Sequence, residues 1–238
     1  MFGGMLLLLV LAFTQMGSKQ IVVSNDAVNK ISVTGSAGKE VMPDKAVLTL
    51  SVMTEGKEAK GVQDQNSKKM NEVMMALKDA GLDTKDIETT QYTLYPWDEW
   101  DPTTQKNVNK GYKAENIIQV TLNDISRAGE IVDVAVKSGV NSVNNVAFML
   151  SEAKEKEVKD SLVKEASTQA RAKAENLAKG LGVSVGKVLF VTETSYNPGP
   201  WYYNTFSKAA AMESAAPTPI NPQSVKVSLQ VNVDFEIE

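Results

Sequence analysis

The sequence has no cysteine and no histidine among its 238 residues. Without cysteine it can form no disulfide, thiolate nucleophile, iron–sulfur cluster or cysteine-ligated zinc site. Without histidine it lacks the commonest general base and transition-metal ligand, which excludes Ser-His-Asp and Cys-His catalysis. Chemistry by a Ser-Lys pair, by carboxylates or by tyrosine stays open. On this basis we expect no catalytic residue, no metal and no cofactor.

An excess of positive charge is also missing. The chain has 25 Lys and Arg against 29 Asp and Glu, a formal net charge of -4. The lysines alternate with acidic residues and form no basic stripe. Because nucleic-acid binding depends on clustered cations that displace phosphate counterions, the sequence argues against nucleic acid as a partner. The length is sufficient for one sizeable core or two small ones.

The one long apolar run lies at the N-terminus, at Met5–Phe13. It is shorter than the roughly 20 residues that a spanning helix needs, and it has the length of a signal-peptide apolar region. No Lys or Arg precedes it and no convincing cleavage site follows, so we expect the true start codon to lie upstream. We predict a signal peptide or membrane anchor at 1–16 and a linker at 17–29. The alternative is a buried N-terminal strand or helix.

Several segments alternate between apolar and polar residues, which is typical of strands with one buried face. Between them, the polar and aromatic stretch 96–111 predicts the loop of a long hairpin, and 194–223 predicts an irregular segment. The predicted strands are Lys30–Gly35, Lys45–Val52, Ile87–Tyr95, Tyr112–Leu122, Val143–Leu150, Val183–Glu193 and Ser224–Phe235.

Three other segments have the apolar period of helices. The first covers 58–80, the second begins with a cap at Asn123 or Asp124 and ends at Gly139, and the third covers 151–181. The element order is therefore ββαββαβαββ. This order predicts an α+β fold in which helices pack on one face of a mainly antiparallel, twisted sheet.

An alanine stripe runs along the third predicted helix. Following Leu162, every fourth residue is alanine: Ala166, Ala170, Ala174 and Ala178. Such a stripe indicates a helix backbone that lies close to a sheet. The alternative is that alanine is present only because it is the best helix former.

The chain also carries short motifs whose order is informative. They are Ile31–Gly35, Pro43–Ala46, Asn66, Asp86–Thr89, Tyr95-Pro96, Gly111-Tyr112, Gly139–Asn141 and Leu181–Val183. In this order they resemble the SIMPL-domain family, the YggE-like exported proteins of unsettled activity. The resemblance implies a SIMPL-like domain over 30–238, a periplasmic or cell-surface location and ring-like homo-oligomers. It transfers no catalytic residue.

Aromatic residues concentrate in the two predicted loops. Because Trp and Tyr combine a large apolar body with a polar tip, they are typical of interfaces. We predict a subunit or ligand contact there, and the alternative is that these rings complete the core at one end of the sheet. Carbohydrate stacking and anchoring at a membrane interface are variants of the contact hypothesis. The candidates are Tyr95, Trp97, Trp100, Trp201, Tyr202 and Tyr203.

Other polar and sulfur-containing groups favour structural roles. Asp98, Glu99 and Asp101 lie on one predicted turn without the spacing of a calcium loop, so solvated charge is favoured. Asn66 lies on the apolar side of the first helix and is expected to bond a backbone group. Met70, Met74 and Met75 are expected to pack in the core, since no His or Cys accompanies them as metal ligands.

The leading hypothesis is a non-enzymatic exported protein that oligomerises. It would act as a scaffold or stress-related component of the envelope, with a membrane tether through residues 5–13. The alternative is a ligand-binding module that uses the aromatic loops 96–111 and 194–223. A hydrolase with Ser-Lys or carboxylate chemistry is a third hypothesis.

Overall fold

The computed structural model describes residues 29–198, 201–203 and 218–238. The predicted signal or anchor and all of the linker except Asn29 lie outside these residues. The described elements follow the order ββαββαβαβββ, which confirms the α+β class and adds one short strand to the predicted order. The strands are β1 Lys30–Val41, β2 Lys45–Gly56, β3 Ile87–Asp101, β4 Lys106–Leu122, β5 Ser142–Met149, β6 Val185–Pro198, β7 Trp201–Tyr203 and β8 Val225–Ile237, and the helices are α1 Ala59–Asp79, α2 Ala128–Lys137 and α3 Glu152–Leu181.

The strands form two antiparallel sheets, where the sequence analysis expected one. One sheet has the order β1-β8-β6 and the other the order β3-β4-β2-β5-β7. Helix α3 packs on the first sheet, while α1 and α2 pack on the second. Each sheet therefore has helices on one face and a separate apolar core. Strands β1 and β2 are sequence neighbours that do not pair, because the chain passes from one sheet to the other at Pro43 and Asp44.

Strand β8 is the centre of the three-stranded sheet. Its register with β1 places Lys30 opposite Glu236 and Val41 opposite Val225, so the first and last described strands pair along their whole length. Every second residue of β8 from Val225 to Phe235 is buried. The segment with the clearest alternation in the sequence thus forms the central strand of a sheet with one covered face.

The alanine stripe of α3 lies on this sheet, as predicted. Ala166, Ala170, Ala174 and Ala178 are all buried in the core beneath the helix. The approach is closest at Gly35 of β1, where an added Cβ would lie 2.0 Å from the carbonyl oxygen of Ala166. Small residues on both sides therefore set the distance between helix and sheet.

We predict that Gly35→Ala destabilises the protein by about 1–3 kcal/mol or more, because the added methyl overlaps helix backbone that cannot move alone. The matched control is Gly61→Ala in α1, where an added Cβ meets nothing within 4 Å. There the change should stabilise the protein by roughly 0.5–1 kcal/mol through helix propensity. Urea unfolding followed by circular dichroism measures both. Equal stability of the two variants would contradict the close packing of α3 on β1.

Helix α1 covers the five-stranded sheet with the residues that the period predicted. Val62, Val73 and Leu77 are buried against β2 and β4, together with Met70. Asn66 is fully buried, and its side-chain amide donates to the carbonyl oxygens of Val52 and Ala114 at 2.9 and 3.4 Å. The structural role predicted for Asn66 is confirmed.

The methionine prediction is confirmed for two of its three residues. Met70 is buried, and Met74 packs against the same core from a partly buried position. Met75 is 59% exposed, so its assignment to the core was wrong. The reason is helical geometry, since Met75 is one residue beyond the inward row and points away from the sheet.

Asp44 joins the two halves of the fold. Its carboxylate accepts hydrogen bonds from the backbone N–H and the hydroxyl of Ser151, both at 2.7 Å. The Ser151 hydroxyl in turn accepts from the N–H of Lys154 and caps α3. Burial by itself raises the pKa of Asp44, but the bonds from Ser151 outweigh it and hold the pKa below its ordinary value. The charge also lies favourably at the N-terminus of a 30-residue helix.

We predict that Asp44→Asn lowers the free energy of unfolding by about 1 kcal/mol at neutral pH, a modest value because the carboxylate is only half-buried. Since the folded-state pKa is depressed, this contribution is present above the ordinary Asp pKa of about 4 and is lost as pH falls through the folded value. Denaturant titrations at several pH values test this. Asp83→Asn, at an exposed carboxylate, serves as the control. A difference in the free energy of unfolding between wild type and Asp44→Asn that persists in acid would contradict the prediction.

Candidate contact surface on the aromatic arm

Segment 96–111 is a continuation of the β3–β4 hairpin, so the loop prediction was wrong. The two strands pair from Ile87 opposite Val120 to Asp101 opposite Lys106. Strand β2 accompanies β4 only as far as Tyr112. Beyond that point β3 and β4 continue as a two-stranded ribbon, which we call the aromatic arm (residues 97–111). Alternation failed to reveal it because the ribbon has no buried face: all residues from 102 to 110 are exposed.

A bulge lies where the arm leaves the sheet. The register shifts after Trp97, which lies opposite Gly111, to Asp98, which lies opposite Asn109. The Asn109 amide donates to Asp98 at 2.9 Å, and the N–H of Gly111 donates to the Asn109 side-chain oxygen at 3.1 Å. Gly111 has a φ of +129°, and a Cβ there would lie 2.1 Å from the carbonyl oxygen of Gly56. The bulge therefore requires glycine at position 111.

The three carboxylates of the arm bond different partners. Asp98 accepts from Asn109, and Glu99 forms an ion pair with Lys110 at 3.5 Å. Asp101 accepts from the backbone N–H of Thr103 at 2.8 Å and from the hydroxyl of Thr104, and these bonds hold the pKa of Asp101 below its ordinary value. The carboxylates thus stabilise the ribbon and its turn, and they do not converge on one point.

The arm presents aromatic rings on both of its faces. Successive side chains of a strand point to opposite sides, so Trp97 and Tyr95, which lies just before the arm, share one face while Trp100 lies on the other. Trp97 is half-buried, with the Lys113 ammonium 3.7 Å from its ring centroid. Trp100 is 59% exposed, and Tyr95 is also exposed. A surface that leaves such rings in water is typical of a contact site.

The second predicted loop is only partly irregular. Strand β6 extends to Pro198, and residues 201–203 form β7, so those parts of the loop prediction were wrong. Residues 218–224 have no regular structure, and the remainder lies outside the described residues. The backbone of β7 pairs with β5, with Trp201 opposite Phe148 and Tyr203 opposite Val146.

The structure places the two aromatic segments at opposite edges of one sheet. In the order β3-β4-β2-β5-β7, the arm continues one outer strand and Trp201–Tyr203 forms the other. Four strand spacings separate these edges, about 19 Å at about 4.8 Å each. Within one chain they do not form a single patch.

We predict that Lys113→Met destabilises the protein by about 0.5–1 kcal/mol, because it removes the cation over the Trp97 ring. It also removes an ion pair with Glu55 at 3.4 Å. Lys110→Met is the control, since its pair with Glu99 is surface-exposed and is expected to contribute little. Urea unfolding measures both variants, and an equal effect of the two would contradict a special role for the ring contact.

A model of the family described as "SIMPL: Protein of unknown function (DUF541)" matches residues 31–235, which include both sheets and the arm. The chain belongs to the SIMPL family. The 26 kDa periplasmic immunogenic protein of Brucella melitensis is 31% identical over 225 residues, which cover 88% of this chain and 85% of that protein. The uncharacterized protein YggE of Escherichia coli K12 is 27% identical over 210 residues, covering 87% and 83%. YggE of Edwardsiella ictaluri is 27% identical over 209 residues, covering 87% and 86%.

These comparisons confirm the family resemblance, and none of the relatives named here is named for a catalytic activity. The relatives are named for a location, for immunogenicity or as uncharacterized. In this SIMPL chain, four motif residues lie at structural junctions: Gly35 under α3, Asp44 at the start of α3, Asn66 beneath α1 and Gly111 at the bulge. Each of these four residues makes or permits a contact that supports the fold.

One exposed surface was not predicted from the sequence. Four consecutive apolar residues of β6, Val188–Val191, are exposed at the edge of the three-stranded sheet. The signal was present, because an unbroken apolar run departs from the alternation of a strand with one buried face.

Proposed function

We propose that this SIMPL protein is a periplasmic or cell-surface protein that acts as a non-enzymatic scaffold of the envelope by assembling into rings. The periplasmic location named for the Brucella relative supports the proposed location. The absence of His and Cys from the sequence supports the non-enzymatic role. In the part of the chain that the structure describes, no helix is long and apolar enough to span a bilayer. We propose the apolar run 5–13 as a membrane tether, because it is the one long apolar run of the sequence.

The aromatic arm is the observation that carries the assembly proposal. A two-stranded ribbon without a covered face is at best marginally stable in water. The exposed Trp100 on the arm and Tyr95 at its base have the chemistry of interface anchors. A second copy of the chain that packs on the arm would bury these rings and stabilise the ribbon.

The positions of the two aromatic edges support a head-to-tail arrangement. The arm and β7 lie on opposite edges of the five-stranded sheet. Contact between the arm of one copy and the β7 edge of the next joins two unlike surfaces, and such heterologous contacts form rings when the rotation closes. A ligand pocket that uses both segments within one chain is disfavoured by their separation of about 19 Å.

We predict that Trp100→Ser reduces the oligomer to smaller species without unfolding the chain. The matched control is Met75→Ser on α1, because both side chains are 59% exposed and only Trp100 lies on the arm. Light scattering after size-exclusion chromatography measures the mass, and circular dichroism checks the fold.

Two outcomes would contradict assembly through the arm. One is a wild-type chain that elutes as a monomer near 25.8 kDa. The other is a Trp100→Ser oligomer with the same mass as wild type. A loss of mass in Met75→Ser as well would show that the effect is not specific to the arm.

A further inference from the structure

Strand β3 is an outer strand of the five-stranded sheet, and among the described strands it pairs with β4 alone. Its register with β4 is regular over Gln91–Trp97. Pro96 has no backbone N–H, and a proline within a sheet lies with its nitrogen facing away from the neighbouring strand. Tyr92 and Leu94 lie an even number of residues before Pro96 in the same register, so their N–H and C=O groups also face outward. This part of β3 therefore offers a regular row of backbone groups to a further strand.

The other outer strands are covered, interrupted or short. On β1 the N–H of Ser36 donates to the side chain of Gln169 at 2.6 Å, so α3 occupies a group of that edge. Lys173 of α3 donates to the carbonyl oxygen of Thr34 at 3.4 Å on the same edge. Three register shifts interrupt the row on β6, and β7 has three residues. In the described part of the chain, β3 thus has the longest regular edge that is left open.

Apolar side chains are exposed along this edge. Tyr92 and Leu94 are 43% and 38% exposed and share one face of β3, because they are two residues apart. A strand added beside them would cover both side chains with its own. Residues 89–97 include no charged side chain, so β3 lacks the lysine that often prevents pairing at an edge. We propose that an extended, cationic segment of another polypeptide binds here as an additional strand.

Carboxylates lie on both sides of the uncharged stretch and indicate the charge of the partner. Asp83 pairs with Lys85 at 3.4 Å. Glu99 pairs with Lys110 at 3.5 Å, and the other carboxylates of segment 83–101 form no ion pair with a described residue. Basic side chains of a bound segment would therefore meet negative charge at both ends of the edge. The segment contains one lysine, Lys85, and six carboxylates: Asp83, Asp86, Glu88, Asp98, Glu99 and Asp101.

The same charges disfavour the pairing of two copies of this chain through β3. An antiparallel pair centred on Tyr92 and Leu94 would bring the Glu88 end of one strand near the Asp98 end of the other. Like charges that face each other across strands are destabilising. The occupant is therefore a different, basic segment. This inference does not depend on the proposed assembly, which uses Trp100 on the arm.

Binding of a synthetic peptide to the full chain tests the proposal. The probe has alternating valine and threonine at its centre, lysines at both ends and a fluorescent label. Fluorescence anisotropy measures its dissociation constant, and hydrogen–deuterium exchange reports on the backbone. We expect saturable binding and slower exchange at the N–H groups of Tyr92 and Leu94. A peptide methylated at every central backbone nitrogen should bind about ten-fold more weakly, because it cannot donate hydrogen bonds to β3.

Two lysine variants locate the site. Leu94→Lys places a like charge on the edge and should weaken binding of the peptide about ten-fold. Met75→Lys is the matched control, because it makes the same change of charge at a 59% exposed position on α1 and should leave binding almost unchanged. Circular dichroism checks that both variants fold, and the methylated peptide tests the wild-type chain without any substitution.

Three results would overturn strand addition at β3. If the wild-type chain does not bind the peptide, the edge is not a binding site. If the methylated peptide binds as tightly as the unmethylated one, charge alone attracts it. If Leu94→Lys and Met75→Lys weaken binding equally, the peptide does not bind at β3. Light scattering of the same samples without peptide reports assembly through the arm separately.

Discussion

The contact of α3 with β1 and β8 is the interaction on which the rest of the structure depends. The two strands beneath α3 join the two ends of the described chain, and their residues Lys30 and Asp234 form an ion pair across 204 residues. Closing so long a segment costs conformational entropy. The apolar row of β8 and the alanine row of α3 offset this cost by burying a continuous core. Gly35 permits the approach, because any side chain there would meet the helix backbone.

The five-stranded sheet is built from the chain between β1 and α3, together with β7. Asp44 and Ser151 tie the beginning and the end of that segment together at the N-terminus of α3. Thr218, after α3, also bonds Asp133 of α2 through its N–H at 3.0 Å and its hydroxyl at 2.6 Å. The two halves are therefore connected by polar contacts at specific points, while each half has its own apolar core. This division leaves each sheet with outer strands of its own.

These outer strands differ in chemistry, and the edge at β3 carries the assembly proposal. The edge at β3 continues into an arm whose Trp and Tyr rings are accompanied by hydrogen-bonding and charged groups. Such a mixed surface suits a protein partner. The edge at β6 is bulged and carries consecutive exposed apolar side chains.

Much of the candidate site could be named from the sequence, but its geometry could not. The clustering of Trp97 and Trp100 was visible because aromatic residues are few and uneven along the chain. That they lie on a ribbon was not visible, because a strand without a buried face has no alternation to detect. The separation from Trp201 depends on strand order, which no local pattern contains. The exposed run in β6 was overlooked because apolar residues in a strand are expected to be buried.

By itself the sequence determined most of the elements and inward faces, and it indicated the family. Periodicity decides which side of each strand and helix is apolar, as Ala166 to Ala178 in α3 and Val225 to Phe235 in β8 illustrate. Only the tertiary structure decided that there are two sheets, which strands are outermost and which rings remain in water. The physical reason is that periodicity is local, whereas strand neighbours are chosen by contacts between residues far apart in the chain.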